Sequence, residues 1–312
     1  MSPDAGEGGP PTVRVDWDLD GRRATVTIDR PGVLNALDRP TLLGLREAFT
    51  EIAADHRVGV AVLTGAGERA FSTGADLAEQ EAFLRRPNDY HAWMGTFIDA
   101  IDAIRDCPKP VIARLNGIVV GGGNELNLAC DLAVAADDIH IRQIGPSRGS
   151  LPSGGATQWL PITIGDRRAR EMLFLNRPIP AAQALDWGLV NRVVPRAELD
   201  ATVDDLSREL LAKLPETIRA TKAQVQLWKD FAWSMTIRQA REWLTIHAGS
   251  AEVGEGLRAF RDRALPDYDA LRDGLVATGT AQTARACPSC GRTTSIAGAA
   301  FCAYCGATLA PS

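Results

Sequence analysis

The chain has 312 residues, 45% of them hydrophobic and 23% charged, with a formal net charge of -5. That length allows one large core and a small appendage, because single cores stop growing at roughly 250–300 residues. The acidic balance gives no general affinity for polyanions, so nucleic acid is not an expected partner, and no apolar run approaches the roughly 20 residues that cross a bilayer.

Residues 1–12 are rich in Pro, Gly and acid without period, which predicts a disordered leader. They have neither the basic start nor the apolar stretch of a signal peptide, so a cytoplasmic location is expected. Val13, Val15, Trp17 and Leu19 alternate, as do Ala24, Val26 and Ile28, and Asp20-Gly21 between them signals a hairpin turn. After Pro31-Gly32, the apolar positions Leu42, Leu45, Phe49 and Ile52 recur at helical spacing, with Asp38 as cap and Pro40 in the first turn. The run from Val58 to Thr64 is apolar without alternation, as in a strand covered on both faces; Val111–Leu115 and Leu132–Ala136 repeat that pattern. Helical segments around Met94–Ile104 and Arg167–Leu175 alternate with these strands, which predicts an α/β fold with crossover connections. From Pro195 to about Ala264 the pattern is mostly helical. The expected division is a leader at 1–12, a main domain at 13–264, a linker at 265–284 and a cysteine module at 285–312.

Two loops carry the chemistry. One is Arg69-Ala-Phe-Ser-Thr-Gly74-Ala75-Asp76-Leu77; the other is Asn116-Gly-Ile-Val-Val-Gly121-Gly122-Gly123-Asn124-Glu125, running on to Asp131. Glycines here let backbone approach a ligand, and free N–H groups at a helix start point toward developing negative charge, the geometry of an oxyanion hole. A lone Gly-rich turn commonly just joins a strand to a helix; the pair is more specific. Together with Leu34-Asn35-Ala36-Leu37 and Ala184-Leu-Asp-Trp-Gly188-Leu-Val-Asn191, these segments resemble the crotonase superfamily, also called the enoyl-CoA hydratase/isomerase family, over about residues 13–264.

The resemblance implies a ClpP-like spiral of ββα units with a C-terminal helical region, acting on an acyl-CoA thioester whose coenzyme A is part of the substrate. It assigns the oxyanion donors to the N–H groups of Ala75 and Gly122. Glu125 matches the first of the two catalytic glutamates of family hydratases; the plain reading of the same residue is an acid favouring a helix N-terminus. For coenzyme A, Arg69 matches a basic position near the phosphates, Asp76 and Leu77 fall in the adenine loop, and Gly121 flanks the donors, with Arg22 or Arg23 as further candidates. Relatives assemble as trimers or dimers of trimers, so a trimeric or hexameric homo-oligomer is expected.

The pattern then departs. The second hydratase glutamate falls where this chain has Gly145, and no Asp or Glu occurs from Ile139 to Ile164. The pattern Gln143-x-Gly145-Pro146-x-x-Gly149-Ser150 is similar to dihydroxynaphthoyl-CoA synthases and to ring-opening oxocyclohexene-carbonyl-CoA hydrolases. The synthases have an aspartate shortly afterwards, where Leu151-Pro152-Ser153 stand. The hydrolases combine all three motifs present at Gly121–Glu125, Gly145–Ser150 and Gly154–Thr157. The expected activity is therefore hydration, with hydrolytic ring opening in reach, of a cyclic or unusual unsaturated acyl-CoA. The alternatives are an ordinary hydratase or isomerase on linear chains and a non-catalytic scaffold. Ser147, Arg148, Ser150, Ser153 and Gln158 are polar residues of this loop with water-positioning and plain solvated readings. His56, His91, His140 and His247 lie outside the motifs and read as surface or packing groups.

Cys287-Pro-Ser-Cys290-Gly and Cys302-Ala-Tyr-Cys305-Gly, eleven residues apart, form paired knuckles at the spacing of a tetrahedral structural zinc site, with redox use as the alternative. Cys107 and Cys130 stand alone upstream. Residues 285–312 have only Arg285 and Arg292 as positive side chains, so a docking role toward a protein partner is expected of this ribbon rather than one toward nucleic acid.

Overall fold

In the computed structural model, residues 11–83, 86–274, 285–294, 301–302 and 305–309 are described. The predicted hairpin is present: β1 (Val13–Asp18) and β2 (Arg23–Ile28) pair antiparallel, with Val13 opposite Ile28 and Asp18 opposite Arg23. Helix α1 (Arg39–Ala54) starts at Asp38, whose carboxylate accepts from the Thr41 N–H at 3.0 Å, and buries Leu42, Leu45, Phe49 and Ile52 as their spacing requires. Strand β3 (Val60–Gly65) is buried at every position. With β5 (Val111–Leu115), β7 (Leu132–Ala136) and β10 (Arg192–Val194) it forms a sheet of order β1-β2-β3-β5-β7-β10, parallel from β2 onward. Cover on both faces is why these strands read as uninterrupted apolar runs.

A second, four-stranded sheet of order β4-β6-β8-β9 consists of β4 (Ala70–Ser72), β6 (Ile118–Val120), β8 (His140–Arg142) and β9 (Ile179–Pro180), the first three parallel. Strands of two or three residues have no readable period, which is why they are not evident in the sequence. The chain visits the large sheet and then the small one three times, as β3 to β4, β5 to β6 and β7 to β8. That is a spiral, and it sets side by side the loops leaving the C-terminal ends of β4, β6 and β8. Those ends are where open parallel sheets bind ligands.

Helices α2 (Leu77–Ala82), α3 (Pro87–Arg105) and α4 (Gly122–Ala129) fill the first turns of the spiral; α5 (Ala156–Thr163), α6 (Asp166–Leu175) and α7 (Ala181–Trp187) follow β8. The helical C-terminal region comprises α8 (Leu199–Leu211), the 33-residue α9 (Pro215–His247) and α10 (Ala251–Arg261). Residues 265–274, expected as linker, include a short helix, α11 (Tyr268–Arg272), anchored where the Asp267 N–H donates to Glu255 at 2.7 Å. The remainder of the expected linker and residues 1–10 of the expected leader lie outside the described residues. In the cysteine module, β11 (Arg285–Ala286) and β12 (Thr293–Thr294) pair antiparallel.

The long α9 is held by its inner face. Trp159 of α5, fully buried, stacks on Trp233 with ring centroids 4.9 Å apart and donates its indole N–H to the Lys229 carbonyl at 3.1 Å. Truncating so large a buried ring leaves a cavity and unseats a hydrogen bond. Trp159→Ala is expected to lower unfolding free energy by about 3–5 kcal/mol in urea titrations; a loss under about 1 kcal/mol would show that α9 does not depend on this contact.

Candidate active site

Asn35 is fully buried and both Leu34 and Asn35 sit in the left-handed region, at φ 56° and 55°. The Asn35 amide donates to the carbonyls of Ala66 (3.0 Å) and Ala70 (2.8 Å) and accepts from the Arg30 N–H (3.0 Å), tying three segments together. This places Leu37 beside the 74–76 loop, where Leu37 donates to Gly74 (2.8 Å) and accepts from Asp76 (3.0 Å). In parallel pairing those two bonds bracket Ala75, whose own N–H then points away from Leu37. Gly74 has φ +82°, and a Cβ on it would lie 2.7 Å from the Gly122 nitrogen, so the two turns touch backbone to backbone. Gly121, at φ 55° and ψ -119°, opens α4 in a conformation that favours glycine. Among the described residues, none accepts from the N–H of Ala75 or of Gly122, and both residues line one cavity. Two free donors on adjoining turns can hold an oxyanion.

Glu125, in the first turn of α4, is 5% exposed and lines the same cavity. Burial pushes its carboxyl up to about 7, against the pull of the nearby Gly154 and Ala156 N–H groups. Its Oε1 atom has no partner among the described residues. A Cβ on Gly154 would lie 2.7 Å from Glu125 Oε2 and 2.2 Å from the Phe97 ring, so glycine at 154 is what admits the carboxylate. Tyr90, beside Ser150, is pushed up to about 12 by burial and stays protonated at neutral pH.

The cavity holds about 670 Å³ and has an apolar wall that includes Trp93, Met94, Phe97, Leu257 and Phe260. All seven residues singled out in the two glycine loops line it: Ala75, Gly122 and Glu125, and also Arg69, Asp76, Leu77 and Gly121. Arg69 is exposed at the rim. Asp76 is committed elsewhere, accepting from the Ala78 N–H at 3.1 Å and from Arg30 at 3.0 Å, so its carboxylate braces the loop. Arg22 and Arg23 are corrected: neither lines the cavity, and Arg23 is bound to Asp18 at 2.7 Å and to Asp204.

Gly145 also lines the cavity, in a 3-10 turn (Gly145–Arg148) that follows β8. A Cβ there would lie 2.7 Å from the Ser150 carbonyl oxygen and 3.1 Å from the Pro152 ring, so this loop as folded has no room for a glutamate at 145. Neutral groups face the cavity instead: Gln143 and Ser153 line it, and each has a buried side-chain oxygen with no partner among the described residues. His140 and His247, expected as surface or packing groups, line it too. His247 stacks on Trp243 at 4.2 Å and lies 3.3 Å from Glu252. Nothing in sequence order could place it there, because it closes α9 more than a hundred residues after the glycine loops.

The four tail cysteines converge. All four sulfurs lie within 4.8 Å of one another, with Cys287–Cys305 at 3.7 Å and Cys290–Cys302 at 3.8 Å. A tetrahedral zinc with bonds of about 2.3 Å has sulfur–sulfur edges of about 3.8 Å, whereas a disulfide needs about 2.05 Å. The two knuckles match each other: Gly291 donates to Cys287 at 2.8 Å and Gly306 to Cys302 at 2.9 Å, both glycines at positive φ. The geometry fits a four-thiolate metal site. Cys107 and Cys130 are buried singly.

Residues 22–270 match the family model described as enoyl-CoA hydratase/isomerase. Among solved structures, the chain is similar to an enoyl-CoA hydratase from Mycobacterium avium subsp. paratuberculosis K-10, with 29% identity, TM-score 0.74, and 82% of this chain and 98% of that one covered. It is also similar to an enoyl-CoA hydratase from Bacillus anthracis, at 31% identity and TM-score 0.66 over 82% and 98% of the two chains. A third is a monofunctional enoyl CoA isomerase from M. smegmatis, at 31% identity and TM-score 0.61 over 71% and 95%. The chain belongs to the enoyl-CoA hydratase/isomerase family and has its mixed α/β crotonase fold.

Glu125 also links the site to stability. Its pKa is raised from 4.5 to about 7, so between those values the folded chain keeps a proton that the unfolded chain has lost. Its contribution is fully present below about pH 4.5 and is lost as pH rises through about 7, a cost of about 3 kcal/mol in the ionised state. Glu125→Gln keeps the shape without the charge. Its gain in melting temperature over the parent is expected to be larger at pH 8 than at pH 5, and an equal gain at both would contradict the burial-raised pKa.

Proposed function

We propose that this family member adds water to an unsaturated acyl-CoA, cyclic or otherwise unusual in its acyl part, through a thioester enolate. One observation carries the reading: among the described residues, a buried carboxyl poised near neutrality shares a cavity with two free N–H donors, and no second free carboxylate accompanies it. The water oxygen bonds to the β-carbon as the Glu125 carboxylate takes its proton, and the π electrons move onto the thioester oxygen. The N–H groups of Ala75 and Gly122 hold that oxyanion; one such donor is typically worth about 10²–10³ in rate. Glu125 then returns the proton to the α-carbon, and the net change is one added water. A carboxyl near pKa 7 suits both the base and the acid step.

The lack of a second glutamate at Gly145 and the unpartnered Ser153 hydroxyl, which can donate to a ring carbonyl, favour an acyl group that is polar in its own right, such as a cyclic enone; the Gln143 amide oxygen can accept from the water that adds. Hydrolytic ring opening would follow the same logic: water attacks the ring ketone, the ring C–C bond breaks, and its electron pair passes into the thioester enolate before protonation. Arg69 at the rim faces the coenzyme A phosphates, with Leu77 and Gly121 flanking the coenzyme. Hydration or isomerisation of linear chains is the second reading, favoured by the names of the similar solved structures. A non-catalytic scaffold has no need of Glu125 beside an oxyanion hole. Mass spectrometry of linear enoyl and cyclic enone CoA esters is the test. A gain of one water on the cyclic ester, reduced at least a hundredfold in rate in Glu125→Gln, is expected. Turnover of linear esters alone would overturn the cyclic preference, and no Glu125-dependent change on any ester would overturn the enzymatic reading.

The same reading makes the protein a cytoplasmic trimer or hexamer with one structural zinc per chain. The outer face of α9 presents Trp228, Phe231 and Met235 at 69%, 59% and 66% exposure, an apolar strip that assembly would cover. The zinc-bound ribbon then serves assembly or docking to a protein. Native mass spectrometry should give a mass divisible by three chains with one zinc per chain, and Cys287→Ser should lose the zinc. A metal-free monomer would overturn both statements.

A further inference from the structure

Arg148 is a cation on the cavity wall with no carboxylate paired to it among the described residues. It ends the same 3-10 turn that Gly145 begins, and its guanidinium lies over the Phe260 ring, 4.8 Å from the centroid. Its Nε is buried with no partner among the described residues, and its Nη1 reaches only the Ser147 carbonyl, at 3.4 Å. Burial and the neighbouring Arg142 both oppose its charge, with only the Tyr268 phenol acting the other way. The acids at hand are taken or turned elsewhere: Glu252 of α10 pairs with His247 at 3.3 Å, Asp76 with Arg30 at 3.0 Å, and Glu125 with the N–H groups of 154 and 156. A guanidinium does not shed its proton, so this partly buried cation is open to pairing with an anionic ligand in the cavity.

The residue is also held in place. A Cβ on Gly149 would lie 2.6 Å from the Val253 nitrogen, and one on Gly256 would lie 2.6 Å from the Arg148 carbonyl carbon, so the turn presses on α10 backbone to backbone. The loop that holds Arg148 is the one that runs on to Gly154 and Ala156 at Glu125, whereas the candidate coenzyme residues Arg69, Asp76 and Leu77 belong to the loop after β4. The guanidinium thus lines the same cavity as Glu125, on the loop after β8 rather than on the loop that holds Arg69, Asp76 and Leu77.

We propose that Arg148 recognises a carboxylate on the acyl chain, remote from the thioester, so that the ligand is the mono-CoA thioester of a dicarboxylic acid. This rests on the acyl-CoA reading above and adds the charge of the acyl group to it. The planar fork of arginine suits a carboxylate, and the Phe260 face leaves its N–H edge for the ligand.

Calorimetric binding of two saturated esters that cannot be turned over, glutaryl-CoA and pentanoyl-CoA, separates the possibilities. Wild type is expected to bind glutaryl-CoA about tenfold or more tightly than pentanoyl-CoA, a difference of about 1.4 kcal/mol. Arg148→Gln should abolish that preference and leave pentanoyl-CoA within about twofold of wild type, while Arg148→Lys, which keeps the charge without the fork, should retain part of it. Absence of a preference in wild type overturns the proposal whether or not the variants fold. Equal weakening of both esters by Arg148→Gln also overturns it, by assigning Arg148 to the coenzyme phosphates. Binding of neither ester overturns the acyl-CoA reading itself, and this proposal with it.

Discussion

The site depends on one close approach. The turn after β4 and the turn before α4 meet where Gly74 and Gly122 touch, at a separation that a Cβ on residue 74 would reduce to 2.7 Å. Two donors hold an oxyanion better than one only if both N–H groups reach hydrogen-bond distance of the same point. Buried amides hold that approach. Asn35 ties the first turn to the strands beside it, and Asn116 binds the carbonyls of Gly65 (2.8 Å) and Gly67 (2.6 Å) at the foot of the second. Buried side-chain amides of this kind are costly unless fully bonded, and when bonded they fix one arrangement of the chain.

Around this pair of free N–H groups the charges are distributed unevenly. A single carboxyl is kept near neutrality by burial, Asp76 is spent on bracing its own loop, and the place of a second acid is closed by backbone at Gly145. What remains on the wall is mostly neutral and apolar, apart from arginines. Such a cavity handles one proton at a time and relies on its ligand to supply the remaining polarity.

Much of the fold was legible in the sequence, for reasons that differ by element. The large sheet was readable because β3, β5 and β7 are covered on both faces and must be apolar throughout, and α1 was readable through Asp38, Pro40 and a clean 3.6 period. The small sheet was not, since β4, β6, β8 and β9 are two to three residues long. At the site, the local motifs pointed to Ala75, Gly122 and Glu125, which line one cavity, because the two glycine loops and Glu125 lie close together in the chain. His247 and Phe260 come from helices far downstream, and no local pattern marks a residue whose role depends on where a long helix ends. Arg22 and Arg23 show the converse error: a basic pair is conspicuous in sequence, yet Arg23 is there to pin β2 to α8 through Asp204.

The spiral has a consequence for how such a molecule can change. Each parallel strand of the small sheet delivers one loop, so a loop can change its side chains without re-pairing any strand, within the limits set by Gly149 and Gly154 where backbone and ring press close. The turns after β4 and before α4 hold the two free N–H groups, the proposed electron sink; the loop after β8 holds Gly145, Arg148 and Ser153, which line the same cavity and, on the proposed function, face whatever the thioester carries. Inheritance of the sink is thereby separated from inheritance of selectivity. A lineage built on this scaffold can explore new acyl groups by drift in one segment of about a dozen residues, while the part that makes every variant an enzyme stays under its own steric lock.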